Sequence, residues 1–345
     1  MKQFGGKVTK ALTAKYSEST NWKDGKFRNL VETTMDVNLR TVPKLLYKQI
    51  CAAEGRNPKK PIPIQSFDVN EFTADSNRAK FIWYGHSAML MRINNKTILI
   101  DPMLGPDTSP IAPYKTKRFS ENTLSLIDDF PLIDLVLLTH DHYDHLDMAS
   151  IEKLIPKTTQ FYVALGVGRH LNYWGADSEN IKEFDWWDSS HFEGIDITFT
   201  PSRHFSGRGL TDNSKTLWGG WVLKTANESI YWSGDGGFGD HFKEVGERLG
   251  PFDMGFMECG QYNEHWHQIH MYPEEAIQAA KDADVKKAMA VHWAGFALAQ
   301  HPWKEPIQRF MMESKNQNQE VFTPQIGQLF SSNDLPNTAW WEGLI

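Results

Sequence analysis

The six residues His140-Asp141-His142-Tyr143-Asp144-His145 constrain this chain more than any other feature. They follow the apolar run Leu135-Val136-Leu137-Leu138 after one residue, Thr139. Such a run reads as a buried strand, and residues just past its end are held by the sheet while reaching its open rim. Three imidazoles and two carboxylates in six positions suit neither an apolar core nor an ordinary solvated turn. Together they suit divalent metal, zinc first, with manganese or iron as alternatives. His140 and His142 are two apart, so extended backbone aims both rings the same way. Asp144 and His145 fall where the chain turns toward a helix, and can face a second point nearby.

Two ions need more ligands, and three candidates share the same placement. His204 follows Ile197-Thr198-Phe199-Thr200 through Pro201-Ser202-Arg203. Asp235 ends Tyr231-Trp232-Ser233-Gly234-Asp235, and His292 follows Ala288-Met289-Ala290-Val291. A single histidine past a strand is usually a structural hydrogen-bonder. Three at strand ends, beside the six-residue motif, read as ligands. Gly234 is expected to let the backbone approach the ions. Asp101, after Ile98-Leu99-Ile100, reads as a residue that orients the ligand loop. His86 is placed evenly between packing and site contact. His265 and His267 read as ordinary loop histidines.

The strand signals begin at Lys80. Phe81–Tyr84, Ala88–Ile93 and Thr97–Ile100 are β-rich, and Asn94-Asn95 marks a hairpin turn between the last two. Further strand-like runs are Ile195–Thr200, Leu217–Lys224, Ile230–Trp232, Phe252–Met257 and Ala288–Val291. Ser150–Leu154 and Pro273–Ala283 read as helices, the second opened by Pro273-Glu274-Glu275. Strands, then strands mixed with helices, twice over, fit two facing sheets with helices outside. Residues 1–75 are weakly patterned and read as an extension packed on a main domain of residues 76–345. A helix is expected near Thr41–Ala53, and Arg56–Pro63 reads as a solvated linker.

The segments Thr139–Asp147, Pro201–His204, Ser233–Asp235 and Val291-His292-Trp293 resemble the metal motifs of the metallo-β-lactamase superfamily. Within it the chain most resembles the N-acyl-phosphatidylethanolamine-hydrolysing phospholipase D family and its bacterial relatives, from about Lys80 to near Pro306. The most specific matches are Gly85-His86-Ser87, Leu217-Trp218-Gly219-Gly220-Trp221 and Pro273-Glu274-Glu275-Ala276, followed by His292-Trp293. The resemblance implies an α/β, four-layer αββα sandwich. It implies one metal on His140, His142 and His204, a second on Asp144, His145 and His292, and Asp235 bridging them. It also matches His270 to a histidine that lines the substrate pocket, where the bare sequence would read a helix cap or surface group; His270 and Asp144 are the residues expected to act in catalysis. Two ions about 3.5–4 Å apart can lower the pKa of a shared water toward about 7, which supplies a nucleophile at neutral pH.

The expected activity is therefore phosphodiester hydrolysis of the phospholipase D type, on N-acyl-phosphatidylethanolamine or a related lipid. The alternative on the same residues is a lactonase or amide hydrolase, such as a sugar-phosphate lactonase. A binding or sensor protein that keeps the metals without turnover is the alternative of another class, and the complete ligand set argues against it. Aromatic residues, with 13 Trp among them, offer walls for a bulky substrate, and Trp218–Trp221 are candidates. Net charge is −7 with no long Lys/Arg run, which argues against a nucleic-acid partner. Cys51 and Cys259 cannot form a disulfide framework, and Cys259 reads as a small buried residue. No run of about 20 apolar residues and no secretory h-region is present, so a cytoplasmic protein is expected. Peripheral contact with the inner face of a membrane is a variant of that placement. Residues 1–75, however, show no obvious apolar, basic face for meeting lipid.

Overall fold

A computed structural model describes residues 2–37, 41, 43, 47, 54–108, 116–209 and 211–344. Two seven-stranded sheets dominate it. In the first, strands run in the order β16-β3-β4-β5-β6-β7-β8. These are β3 (Lys80–Trp83), β4 (Met89–Ile93), β5 (Lys96–Ile100), β6 (Ile133–Leu138), β7 (Thr158–Ala164), β8 (Ile181–Phe184) and β16 (Leu329–Ser331). The second runs β15-β14-β13-β12-β11-β10-β9. Its members are β9 (Ser189–Phe192), β10 (Ile195–Thr200), β11 (Gly220–Lys224), β12 (Ser229–Trp232), β13 (Phe252–Glu258), β14 (Val285–Val291) and β15 (Glu320–Val321). Two-residue strands β1 (Trp22–Lys23) and β2 (Lys26–Phe27) form a small separate hairpin.

Each strand's burial follows its place. Central β6, covered on both faces, carries the unbroken apolar run that marked it in the sequence, whereas edge strand β9 alternates between exposed and half-buried residues. The β4–β5 turn puts Asn94 and Asn95 at φ 49° and 59°, as a two-residue turn of the expected kind requires. The helices at 241–249, 273–282 and 305–317 pack together on the second sheet, and those at 148–154 and 168–174 on the first. The result is the expected αββα sandwich. Pro273 opens its helix as read, and the Glu275 carboxylate accepts a hydrogen bond from Tyr272 N at 2.8 Å. Among the described residues, no helix is long and apolar enough to cross a membrane.

The sheets meet through aromatic rings. Phe81 of β3 and Phe256 of β13 lie 5.4 Å apart between centroids, and Phe184 of β8 lies 5.2 Å from Trp221 of β11. Trp221, expected as a pocket wall, is buried in the core instead, whereas Trp218, nearly sealed as well, borders a hollow that it shares with Met35, His204 and Phe205. A strand-edge glycine pair, Gly219-Gly220, lets the chain between the two tryptophans press against Thr200 and Ser233.

What positions the site is strand direction. β3, β5 and β6 in one sheet, and β10, β12, β13 and β14 in the other, all finish at the same rim. Just past or at their carboxyl ends come His86, Asp101, His140, His204, Asp235, Glu258 and His292.

Described residues before β3 touch this body at several points. Trp174 Nε1 donates to Lys2 O at 2.9 Å, and Ile62 N donates to Phe119 O at 2.9 Å. Arg56 is buried rather than solvated, donating to Ala299 O at 2.7 Å and Ala297 O at 2.6 Å. Leu30, Val31, Met35 and Val37 are exposed apolar residues on a stretch with neither helix nor strand, so no periodic pattern marks them in the sequence. Most of the helix expected at Thr41–Ala53, with Cys51, lies outside the described residues.

Phe256 also packs on Trp232 and Phe322 and is fully buried. Phe256→Ala should destabilise the fold by roughly 3–5 kcal/mol. Denaturant unfolding measures this, and a loss under about 1 kcal/mol would mean that the sheets do not lean on this ring.

Candidate metal centre

The rim collects the seven residues singled out as ligands. His140 Nε2 lies 2.9 Å from His142 Nδ1, and His204 Nε2 lies 3.2 Å from the same atom. Asp235 Oδ2 lies 3.0 Å from His145 Nε2 and from His292 Nε2, and 3.9 Å from His140 Nε2 and from His204 Nε2. Asp144 Oδ2 is 3.2 Å from His292 Nε2 and 3.6 Å from His145 Nε2. Asp235 thus stands between two clusters. These spacings, from 2.9 to 3.9 Å, bracket the roughly 3.3–3.6 Å that separates ligands about 2.0–2.2 Å from a tetrahedral zinc.

The outer ring nitrogens explain why the inner ones converge. His204 Nδ1 donates to Ile269 O at 2.9 Å. His145 Nδ1 faces Asp101 Oδ2 at 2.8 Å, and His292 Nδ1 faces Glu258 Oε1 at 3.1 Å. His140 Nδ1 meets Thr139 Oγ1 at 2.9 Å, and that hydroxyl donates to Asp101 Oδ2 at 2.7 Å. Each outer nitrogen is held by an oxygen, which assigns the proton there and leaves the Nε2 lone pair facing inward. Asp101 is fully buried and holds the ligand loop directly, also accepting from Thr139 N at 2.8 Å.

Charge divides the two clusters. Burial, reinforced by neighbouring imidazoles, holds His140 and His204 well below the usual histidine range. Burial also lowers His142. These three rings are neutral donors. Burial alone would lower His145 and His292 too, but the surrounding carboxylates outweigh it, raising His145 well above normal and pushing His292 up to about 10. Asp144 and Asp235 stay well below the usual carboxylate range despite burial, because imidazoles surround them.

Several residues occupy places that their sequence did not disclose. His86 is buried with Nε2 2.9 Å from Asp144 Oδ2, so it touches the site as well as packing. His86 N donates to Trp293 O at 2.7 Å and His292 N to His86 O at 3.0 Å, which ties the ends of β3 and β14 together. Gly234, at φ 64°, is needed for a different approach from the one expected: a Cβ there would lie 2.1 Å from Gly219 O, so it meets backbone. Asp141 turns away from the cluster, accepting from Gly207 N at 2.8 Å with His170 Nε2 at 3.2 Å. His265 sits 3.1 Å from Asp36 Oδ2, and His267 stacks on Tyr272. Cys259 is buried, as read.

Glu258 was missed altogether. Its Oε1 lies 3.1 Å from both His292 Nδ1 and His270 Nδ1, and its Oε2 accepts from Met271 N at 3.0 Å. The two rings it anchors lie nearly parallel, 5.1 Å apart at 11°. Its position at the carboxyl end of a buried strand, close to where the other site residues stand on theirs, was the available signal.

A cavity of about 360 Å³ opens on His142, Asp144, Asp235, His270 and His292. Met35, Phe205, Trp266, Ile269 and Leu298 give it an apolar wall.

A two-sheet sandwich that gathers imidazoles and carboxylates at one rim, beside a substrate-sized cavity, is the build of a metal-dependent hydrolase. This chain belongs to the metallo-β-lactamase superfamily: residues 96–293 match the family described as beta-lactamase superfamily domain. It is 34% identical over 337 residues to an uncharacterised protein of Mycobacterium tuberculosis, covering 96% of this chain and 90% of the other. It is 30% identical over 249 residues to an N-acyl-phosphatidylethanolamine-hydrolysing phospholipase D of Caenorhabditis elegans, covering 69% of each chain. Among solved structures, a metallo hydrolase of the archaeon Ignicoccus hospitalis aligns with TM-score 0.57 at 20% identity, over 73% of this chain and 97% of that one.

Glu258→Gln should weaken metal affinity by about 10–100-fold, as loss of a ligand's outer hydrogen-bond partner does. Competition against a chelator of known affinity measures this. Unchanged affinity would show that His292 does not need Glu258 to hold its ring.

Proposed function

We propose that this hydrolase is a phosphodiesterase of the phospholipase D type, acting on N-acyl-phosphatidylethanolamine or a related lipid. The observation that carries the proposal is the cavity: it joins an apolar wall to the His/Asp rim, and among the described residues no Lys or Arg lines it. A sugar-phosphate lactone would bring a phosphomonoester dianion, whose second charge calls for a cation of its own. A phosphodiester carries one charge, which can face the metal centre while an acyl chain lies along Met35, Phe205, Trp266, Ile269 and Leu298. Similarity to the nematode phospholipase supports the same substrate class.

In this reading His140, His142 and His204 hold one ion, Asp144, His145 and His292 the other, and Asp235 joins them. Zn2+ is the first choice, with Mn2+ or Fe on the same donors. When bound, the pair supplies Lewis acidity and an activated water. Asp144 and Asp235 offset the cationic charge. His86, neutral because burial pushes it down to about 3, donates to Asp144 and fixes which oxygen the carboxylate presents. His270 is fixed by Glu258 through Nδ1, so Nε2 is the atom left to meet the scissile group or the leaving oxygen. Burial of the rim under the apolar wall keeps bulk water from the reacting atoms.

Metal analysis should give about two ions per chain, and Asp235→Ala should abolish hydrolysis while circular dichroism stays near wild type, because the sandwich core does not depend on metal to fold. Proton displacement sets a pH dependence. His292, raised to about 10, holds its proton at neutral pH, so metal must displace it. Affinity should therefore rise with pH between 6.5 and 9, by up to about tenfold per unit for one proton. A flat profile would mean that neither His145 nor His292 gives up a proton to the metal. Finally, kcat/KM should rise with acyl length, each buried CH₂ being worth roughly 0.8 kcal/mol, until the wall is filled. His270→Ala should lower diester turnover by about 10²–10⁴ if His270 moves a proton. A flat series with good activity on short lactones would sink the diesterase reading.

A further inference from the structure

The backbone of His204 has no strand partner. His204 sits four residues past β10, in a loop, and is buried. A buried peptide N–H and C=O must nevertheless be paired. Both are paired by one side chain from the far end of the sequence. Asn29 Oδ1 accepts from His204 N at 3.0 Å, and Asn29 Nδ2 donates to His204 O at 2.7 Å. Trp218 Nε1 donates to the same Asn29 Oδ1 at 3.1 Å. A planar amide of this length has both the donor and the acceptor that the contact requires; a carboxylate has only acceptors.

The segment that carries Asn29 then runs across two loops of the site. Arg203, the neighbour of His204, donates through Nε to Thr33 Oγ1 at 3.1 Å and through Nη2 to Glu32 O at 3.2 Å. Gln268, on the loop that bears His270, accepts at Oε1 from Thr34 N at 2.9 Å and from Arg203 Nη2 at 2.9 Å. Asp36 N donates to His265 O at 2.7 Å. Between these anchors, Met35 lines the cavity beside His270 and Trp266.

We propose that Asn29 is the positioning residue for His204, and that residues 29–36 form a strap that completes the active site rather than a detachable part of an N-terminal extension. The strap sets where the His204 loop stands relative to His142, 3.2 Å away, and closes one side of the substrate cavity through Met35. The proposal rests on the reading of His140, His142 and His204 as ligands of one ion.

The test uses the full-length protein loaded with Co2+, whose visible absorption reports ligand geometry. Wild type, Asn29→Ala and Asn29→Asp are compared for that spectrum, for affinity by chelator competition, and for melting temperature. Asn29→Ala should alter the spectrum and weaken one of the two ions by about 10–100-fold while the other is unaffected. Asn29→Asp, which keeps the acceptor for His204 N and loses the donor, should fall between the two. Wild-type spectra and affinities in both variants, with any loss confined to melting temperature, would overturn the proposal. Should Asn29→Ala not fold, Asn29→Asp decides: a wild-type spectrum and affinity in it overturn the role, and a weakened ion supports it. Wild type that takes up no cobalt would overturn the ligand reading itself, an outcome separable from all of these.

Discussion

Carboxylates buried among imidazoles set the terms for this structure. Asp101, Asp235 and Glu258 are all but sealed from water, a position that costs several kcal/mol for an ion without partners. Each is therefore met by ring nitrogens or backbone N–H groups, and seven strand ends must deliver those partners to one place. The backbone bends to do so: His86, Asp101 and His292 take φ of 56°, 40° and 66°, a region that side chains other than glycine seldom occupy. Such conformations persist where surrounding contacts over-determine them. Here the contacts are visible in the link between His86 and the His292–Trp293 backbone, and in Asp101 spanning Thr139 and His145.

The same constraint gives the site an asymmetry. Around His142 the rings are neutral and their outer nitrogens face a hydroxyl or a carbonyl. Beside Asp144, His145 and His292 are basic and their outer nitrogens face the carboxylates Asp101 and Glu258, while His86 stays neutral. A carboxylate behind an imidazole raises its basicity and its strength as a donor. The side that includes Asp144 therefore combines more negative charge with stronger nitrogen donors. Asp235, close to both sets, is the group through which a change of charge on one side is felt on the other.

Much of this was legible because the determining patterns are local. Apolar runs of four to six residues identified β6, β10 and β14 as strands, and chemistry-bearing residues one to four positions beyond them marked the rim. Asn94-Asn95 fixed a hairpin by turn chemistry alone. What escaped depends on contacts distant in sequence. Glu258 looks like an ordinary strand residue until His270 and His292 converge on it. Trp221 could have faced a cavity; it packs in the core beside the close backbone approach at Gly219 and Gly220. Arg56 reads as a solvated charge in a Pro- and Lys-rich stretch, yet its guanidinium meets carbonyls from residues 297 and 299. Asn29 carries no signal of its own, because a helical or alternating pattern cannot announce a side chain that serves another loop's backbone.

That separation between rim and wall bears on how such a fold can change substrates. The rim is built from strand ends, where an altered residue disturbs packed sheets and paired charges at once. The cavity wall is built from pieces that do not belong to the sheets: Met35 from the amino-terminal segment, Phe205 beyond β10, and Trp266 and Ile269 from the loop after β13. These pieces are laced to one another through Arg203 and Gln268, and they meet the rim through Asn29 and the Ile269 carbonyl, which both pair with His204. Side chains there can change size or polarity while the hydrogen bonds that aim the imidazoles stay intact. The residues that line the wall are thus freer to vary than the rim, which is held fixed by the cost of leaving any of its buried charges unpaired.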